Sequence, residues 1–213
     1  MKKFILPLLL LLAVGMLVAV ESAPSDVVGY VKYPCVAGLN MIALPLQTTW
    51  TTAGELGDAY PGSFDTIAYW DFAGQTWFGA TDLGGFWDGD FPIASGNVLM
   101  LSSYAPVDVY SIGNLPAANA SYTIGIGLNT IMVPLNRSDL IMAGDVGTSV
   151  GNLDTVGYWD NAAQTFFGAT DLGGFWDGDY NVYIGMPLMV SSYGTTTWPT
   201  RAASNNSIGT RSK

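Results

Sequence analysis

Phe78-Gly79-Ala80-Thr81-Asp82-Leu83-Gly84-Gly85-Phe86-Trp87-Asp88-Gly89-Asp90 is spelled a second time, without a change, at residues 167–179. At the same offset of 89 residues, 65–104 and 154–193 agree at 27 of 40 positions without a gap. Upstream, Gly38-Leu39-Asn40-Met41-Ile42-Ala43-Leu44-Pro45-Leu46 stands over Gly127-Leu128-Asn129-Thr130-Ile131-Met132-Val133-Pro134-Leu135. Self-similarity at one fixed period means a duplicated structural unit. It divides the chain into a leader (1–22), a first module (23–116), a second module (117–200) and a polar tail (201–213).

Inside each unit the apolar runs are short, rich in Val, Ile and aromatics, and broken by Gly, Pro and Asn, which is how strands and turns read. Strands are expected near 27–35, 39–46, 65–71, 75–81, 97–103 and 107–112, and again near 121–126, 128–135, 154–160, 164–170 and 186–193. The connection after the second strand of each unit carries a helix signal. Thr52-Ala53-Gly54-Glu55 fits a capping box, and 138–143 starts a turn or two of helix. The fold class expected is all-β: two tandem, small antiparallel sandwich or barrel modules, each with a short helix in its long connection. The units differ at their edges. The first has a full strand before its Gly-Leu-Asn and another after Tyr104, whereas the last strand of the second reads as short or missing.

Met1-Lys2-Lys3 followed by an apolar run to Val20 and then Glu21-Ser22-Ala23 has the pattern of an export leader, with cleavage expected after Ser22. Five basic and 16 acidic residues remain beyond it, a net charge of −11. No cation lies between Lys32 and Arg137, so the chain lacks the basic stripe that nucleic acid requires. Once the leader is removed, no membrane association is expected either. Cys35 is the only cysteine, which excludes an internal disulfide and a thiolate metal cage and leaves a buried thiol or an intermolecular bridge.

The repeated acidic, Gly-rich stretch is the richest candidate site. Asp82, Asp88 and Asp90, with Asp171, Asp177 and Asp179, are hard oxygen ligands of the type Ca²⁺ accepts, although their spacing matches no standard calcium loop. The competing reading, which the residue types favour, is that these Asp and Gly residues build turns while Phe86 and Trp87 pack. Calcium is the one cofactor the residues suggest. Tyr69, Trp70, Trp77, Phe78, Phe86 and Trp87, repeated as Tyr158, Trp159, Phe166, Phe167, Phe175 and Trp176, would supply sugar-stacking faces if exposed. Alternation along strands turns about half of them into the core. No histidine occurs anywhere, which removes the commonest general base, and no enzymatic activity is expected. Asn119, Asn136 and Asn205 begin N-glycosylation acceptor patterns.

The motifs Gly38-Leu39-Asn40 to Pro45-Leu46, Tyr69-Trp70-Asp71, Gln75-Thr76-Trp77 and Gly96, with their partners 89 residues on, resemble a loosely defined class of secreted bacterial β-repeats. That resemblance implies a cell-surface or extracellular β module and assigns no functional residues. Export, low charge density, duplicated β modules and an incomplete second sheet together suggest a self-assembling extracellular structural protein, a filament, sheath or surface-layer subunit partnered by itself. Segment 25–36 is the expected donor strand, with Val27, Val28, Tyr30, Val31 and Tyr33 as its contact residues. The alternative is a calcium-assisted carbohydrate-binding or adhesive module with glycan partners.

Overall fold

The structure, a computed structural model, describes residues 28–199. The expected leader, Val27, Asn205 and the polar tail lie outside the described residues. Module one runs β1 (Val28–Cys35), β2 (Gly38–Ala43), β3 (Gln47–Thr48), α1 (Ala53–Asp58), β4 (Phe64–Asp71), β5 (Thr76–Asp82), β6 (Trp87–Asp88), β7 (Val98–Ser103) and β8 (Val107–Asn114). Module two runs β9 (Tyr122–Ile124), β10 (Gly127–Met132), α2 (Ala143–Val150), β11 (Leu153–Asp160), β12 (Thr165–Asp171), β13 (Trp176–Asp177), β14 (Pro187–Ser192) and β15 (Thr196–Trp198). The all-β, two-module expectation holds. The choice between sandwich and barrel resolves to open antiparallel sheets.

Each module has one large sheet, ordered β2-β7-β4-β5-β6 in the first and β10-β14-β11-β12-β13 in the second. Opposite it lies a small sheet: β1-β8-β3 in the first module, β15-β9 in the second. Alternation along the large sheet aims Ile42, Ile67, Ala80, Leu99 and Leu101 at Ala53 and Leu56 of α1 and Val109 of β8. The opposite face of the same strands, Met41, Ala43, Ala68, Val98 and Met100, packs on Met132 and Met189 of the other module. Both faces are therefore buried, which is why Val98-Leu99-Met100-Leu101 reads as an unbroken apolar run.

α1 begins as expected: the Thr52 hydroxyl accepts the Glu55 N–H at 3.2 Å. Glu55 reaches back one residue further than a standard capping box, to the N–H and hydroxyl of Thr51 at 2.6 and 2.8 Å. Those bonds hold its carboxyl below the usual glutamate range. The second helix starts later than the 138–143 expectation. Its first residue is Ala143, and Asp145 accepts the N–H groups of Ile141 and Met142 at 3.0 and 2.9 Å. Aligning the helices needs an offset of 90 rather than 89, because the connection absorbs one extra residue before α2 and loses it after.

Two strand ends also move inward, those expected at 46 and 135, which fall at Ala43 and Met132. The expected 39–46 strand stops at Ala43, where Leu44 turns its N–H to the Asn97 carbonyl and Pro45 has no N–H to continue the ladder. The small sheet of module two is indeed short: β9 and β15 share three register pairs, against eight between β1 and β8.

Candidate functional site

The β4–β5 turn of each module ends in a glutamine with positive φ, Gln75 (50°) and Gln164 (53°), after Asp71 or Asp160 has capped the turn through two backbone N–H groups. That geometry throws the Gln side chain onto the edge strand of the other module. Gln164 Oε1 accepts the Leu39 N–H at 2.8 Å, and its Nε2 donates to the Leu39 carbonyl at 2.8 Å. Trp159 Nε1 donates to the same carbonyl at 3.0 Å. The contact is reciprocal: Gln75 takes the Leu128 N–H at 2.8 Å and gives to its carbonyl at 3.0 Å, with Trp70 Nε1 adding a bond at 2.8 Å.

A primary amide thus does for the edges of β2 and β10 what a neighbouring strand's peptide would do. Gly38 and Gly127, with φ near 100°, are required here. A Cβ at either would meet the glutamine oxygen within 2.6 Å. Asn40 and Asn129 then pin the preceding turn, each bonding backbone groups four and two residues back. The repeat motifs converge on one inter-module clamp. Their identity in both units was the sequence signal for it, and the reading of single modules missed it.

Beside each clamp is a cleft between the modules. One, of about 340 Å³, is lined by Tyr69, Trp70, Phe91, Asn97, Tyr122 and Thr130. The other, of about 450 Å³, is lined at the equivalent places by Tyr158, Trp159, Tyr33 and Met41, and also by Lys32 and Tyr183. The hydroxyl of Tyr122 donates to the Gly96 carbonyl at 2.9 Å and accepts the Met132 N–H at 3.1 Å. Burial raises its pKa and those of Tyr33 and Tyr180, so these phenols are structural donors rather than acids.

Comparison with family models, curated proteins and solved structures finds no match.

The structure does not bring the six acidic candidates together as ligand sets. Asp82 Oδ1 accepts the N–H groups of Gly84 and Gly85, and Asp171 does the same for Gly173 and Gly174. Asp90 Oδ1 accepts the Gly54 N–H at the start of α1, and Asp179 the Gly144 N–H at the start of α2. Asp88 and Asp177 sit exposed on β6 and β13. Among the described residues no group of three or more His, Cys, Asp or Glu is placed to hold a metal ion. Asp82, Asp90, Asp171 and Asp179 thus cap turns and helix starts, as the residue types favoured, while Asp88 and Asp177 take no part in that capping.

The aromatics divide. Trp87 is buried against α1, where a Cβ on Gly57 would run into its ring, and its Nε1 donates to Asp58 at 3.0 Å. Trp70 and Trp77 pack edge to face beside the inter-module core. Phe78 and Phe86 are exposed, as are Phe166, Phe167 and Phe175. Asn136 is exposed and Asn119 half-buried in the inter-module connection. Cys35 is buried, and desolvation pushes its thiol up to about 12.

Of the donor-strand residues, Val28, Tyr30, Val31 and Tyr33 lie on β1, which is antiparallel to β8 of its own chain along its whole length. Val28 and Tyr30 are exposed, whereas Tyr33 packs on the core and donates to the Ala43 carbonyl. The segment is not a free arm. It is an edge strand, with no described strand on its outer side. Pro34 within it marks which backbone nitrogens face outward, because a strand tolerates Pro where the N–H would point to solvent. Lys32, held by Asp108 at 2.7 Å, sits on the same outward register. Pro and Lys blunt the second half of this edge, and residues 28–31 are left open.

Proposed function

We propose that the chain is a secreted, self-assembling structural protein, a subunit of a filament, sheath or surface layer at the cell surface, whose copies join by β-strand addition without enzymatic activity. One observation carries the reading: the contrast among the sheet edges. β2 and β10 are closed by amide clamps, half of β1 is blunted by Lys32 and Pro34, and the open half of β1 and the three-pair β9–β15 sheet are left unguarded. In a head-to-tail contact, the open half of β1 in one copy adds to the short sheet of the next, and a heterologous contact of that kind propagates instead of closing. β1 stays on its own β8 and offers its outer edge, so no refolding is needed for assembly.

The test is Tyr30→Pro, which removes an outward N–H at an exposed position and leaves the bonds to β8 in place. Polymer formation by the exported chain, followed by light scattering, should be lost while thermal unfolding stays close to wild type. Undiminished polymerisation by this variant would exclude β1 as the joining edge.

A further inference from the structure

The duplication provides an internal comparison of which positions have been free to change. Buried core positions have changed between copies: Ile67 faces Val156, Ile93 faces Val182 and Leu101 faces Val190. The thirteen residues of the β5–β6 hairpin have not. Most of that identity has a reason within the fold. Ala80 is buried, Gly84, Gly85 and Gly89 have φ between 75° and 98°, Asp82 and Asp90 cap, and Trp87 packs on α1. Leu83 and Phe86 have no such reason. They stand at the hairpin tip, 64 % exposed each, and Leu172 and Phe175 repeat them at 64 % and 65 %. Large apolar side chains kept at matching exposed positions, while buried positions elsewhere in the module core change, mark a contact made outside the monomer.

We propose that the two hairpin tips dock into the inter-module clefts of other copies of this chain. The proposal rests on the self-assembly reading and names a contact within it. Each chain carries two equivalent tips and two equivalent clefts, so every tip has a receptor of the same kind. The clefts are aromatic, as a Leu-Phe knob requires, and their volumes of about 340 and 450 Å³ lie in the range that admits such a group. Charge also selects a second copy. The hairpins carry only carboxylates, which disfavours an anionic lipid surface. The first cleft is lined by no acidic residue, and the second carries Lys32, which pairs with Asp108 of its own chain at 2.7 Å while both side chains stay over 40 % exposed, within reach of the exposed Asp88 or Asp177 of an incoming tip. Continuity supports this as well, because the second cleft is walled by Val31, Lys32, Tyr33 and Pro34 of β1 and so begins where the open stretch proposed to join copies, residues 28–31, ends.

One tip buries far less than the roughly 800 Å² per partner of a stable pairwise contact. The two tips on one chain act together, so assembly is expected to have a concentration threshold rather than to produce a tight dimer.

The experiment uses the full-length chain expressed with its leader and recovered from the exported fraction, with sedimentation velocity over a concentration series. Phe86→Ser with Phe175→Ser should raise the assembly threshold by about tenfold or more, with the unfolding temperature unchanged because both positions are exposed. Thr130→Trp, which puts a large ring into the lining of the first cleft, should raise it too. Wild-type polymers with an unaffected tip variant would overturn the inference and leave the self-assembly reading intact. A wild-type chain that is monomeric at every concentration would remove both. Loss with the tip variant alone, or tip-dependent flotation of monomers with phosphatidylcholine vesicles, would overturn the cleft as the receptor.

Discussion

Replacing Gln164 by glutamate changes one atom of the inter-module clamp. The oxygen that accepts the Leu39 N–H survives, but the Nε2 that donates to the Leu39 carbonyl at 2.8 Å becomes a second oxygen facing that carbonyl and the Asn161 carbonyl. A hydrogen bond of this kind contributes about 0.5–1.5 kcal/mol net, and placing an acceptor against acceptors costs somewhat more. The site is exposed and Trp159 Nε1 still serves the Leu39 carbonyl, which limits the loss. At pH 8 the expected destabilisation is about 1–2 kcal/mol for Gln164→Glu and the same for Gln75→Glu, since the two clamps have matching geometry. In a chain of this size each kcal/mol lowers Tm by roughly 2–4 °C. The defect should be pH-dependent. Facing carbonyls disfavour the carboxylate, so the new glutamate titrates above its unfolded value of about 4.3. The protonated acid donates again, so stability matches wild type near and below that value and falls away as pH rises through the folded pKa. Thermal melts of wild type and both variants at pH 5 and pH 8, each against wild type at the same pH, measure this. A variant as stable as wild type at pH 8, or a loss that does not shrink at pH 5, would refute the clamp as the link between modules.

Gly57→Ala and Gly147→Ala should each destabilise the chain by about 1–3 kcal/mol in urea denaturation, because the added methyl meets the Trp87 or Trp176 ring across the helix. Thr52→Ala should cost about 1 kcal/mol by the same measurement through loss of the α1 cap. Glu55 is held below its ordinary pKa by Thr51, so its contribution is present above about pH 4.3 and is lost as pH falls through the lower folded value. Glu55→Gln should therefore flatten the acid limb of the stability profile. Cys35, buried with its thiol pushed up to about 12, should resist a thiol reagent at pH 8 in the native chain and react once urea unfolds it.

The duplication, the β class and the Thr52 cap were legible because each rests on local pattern: a fixed repeat, short apolar runs, and a hydroxyl three residues before a carboxylate. The Asp82 and Asp90 roles were legible only as the competing reading, since turn capping and cation binding use the same residue types and differ in where the oxygens point. What escaped the sequence was non-local. Gln75 meets Leu128, and Gln164 meets Leu39, across 53 and 125 residues, so no window could join them. The second buried face of β7 reads like the first. β6, two residues long, is too short to show a period, and the helix of module two shifts by one residue because a loop takes up an insertion with no change in composition. β1 was read as a donor from its place at the start of the module. Its pairing with β8 joins residues 72 to 86 apart, from Cys35 with Val107 to Val28 with Asn114, which periodicity does not report.

Negative-stain electron microscopy of the purified exported chain, imaged across a concentration series without added ligand, bears most directly on the account. Open β-edges and paired tips and clefts predict long regular fibres or sheets above a threshold concentration. Uniform single particles of one chain's size at the highest concentration would contradict it.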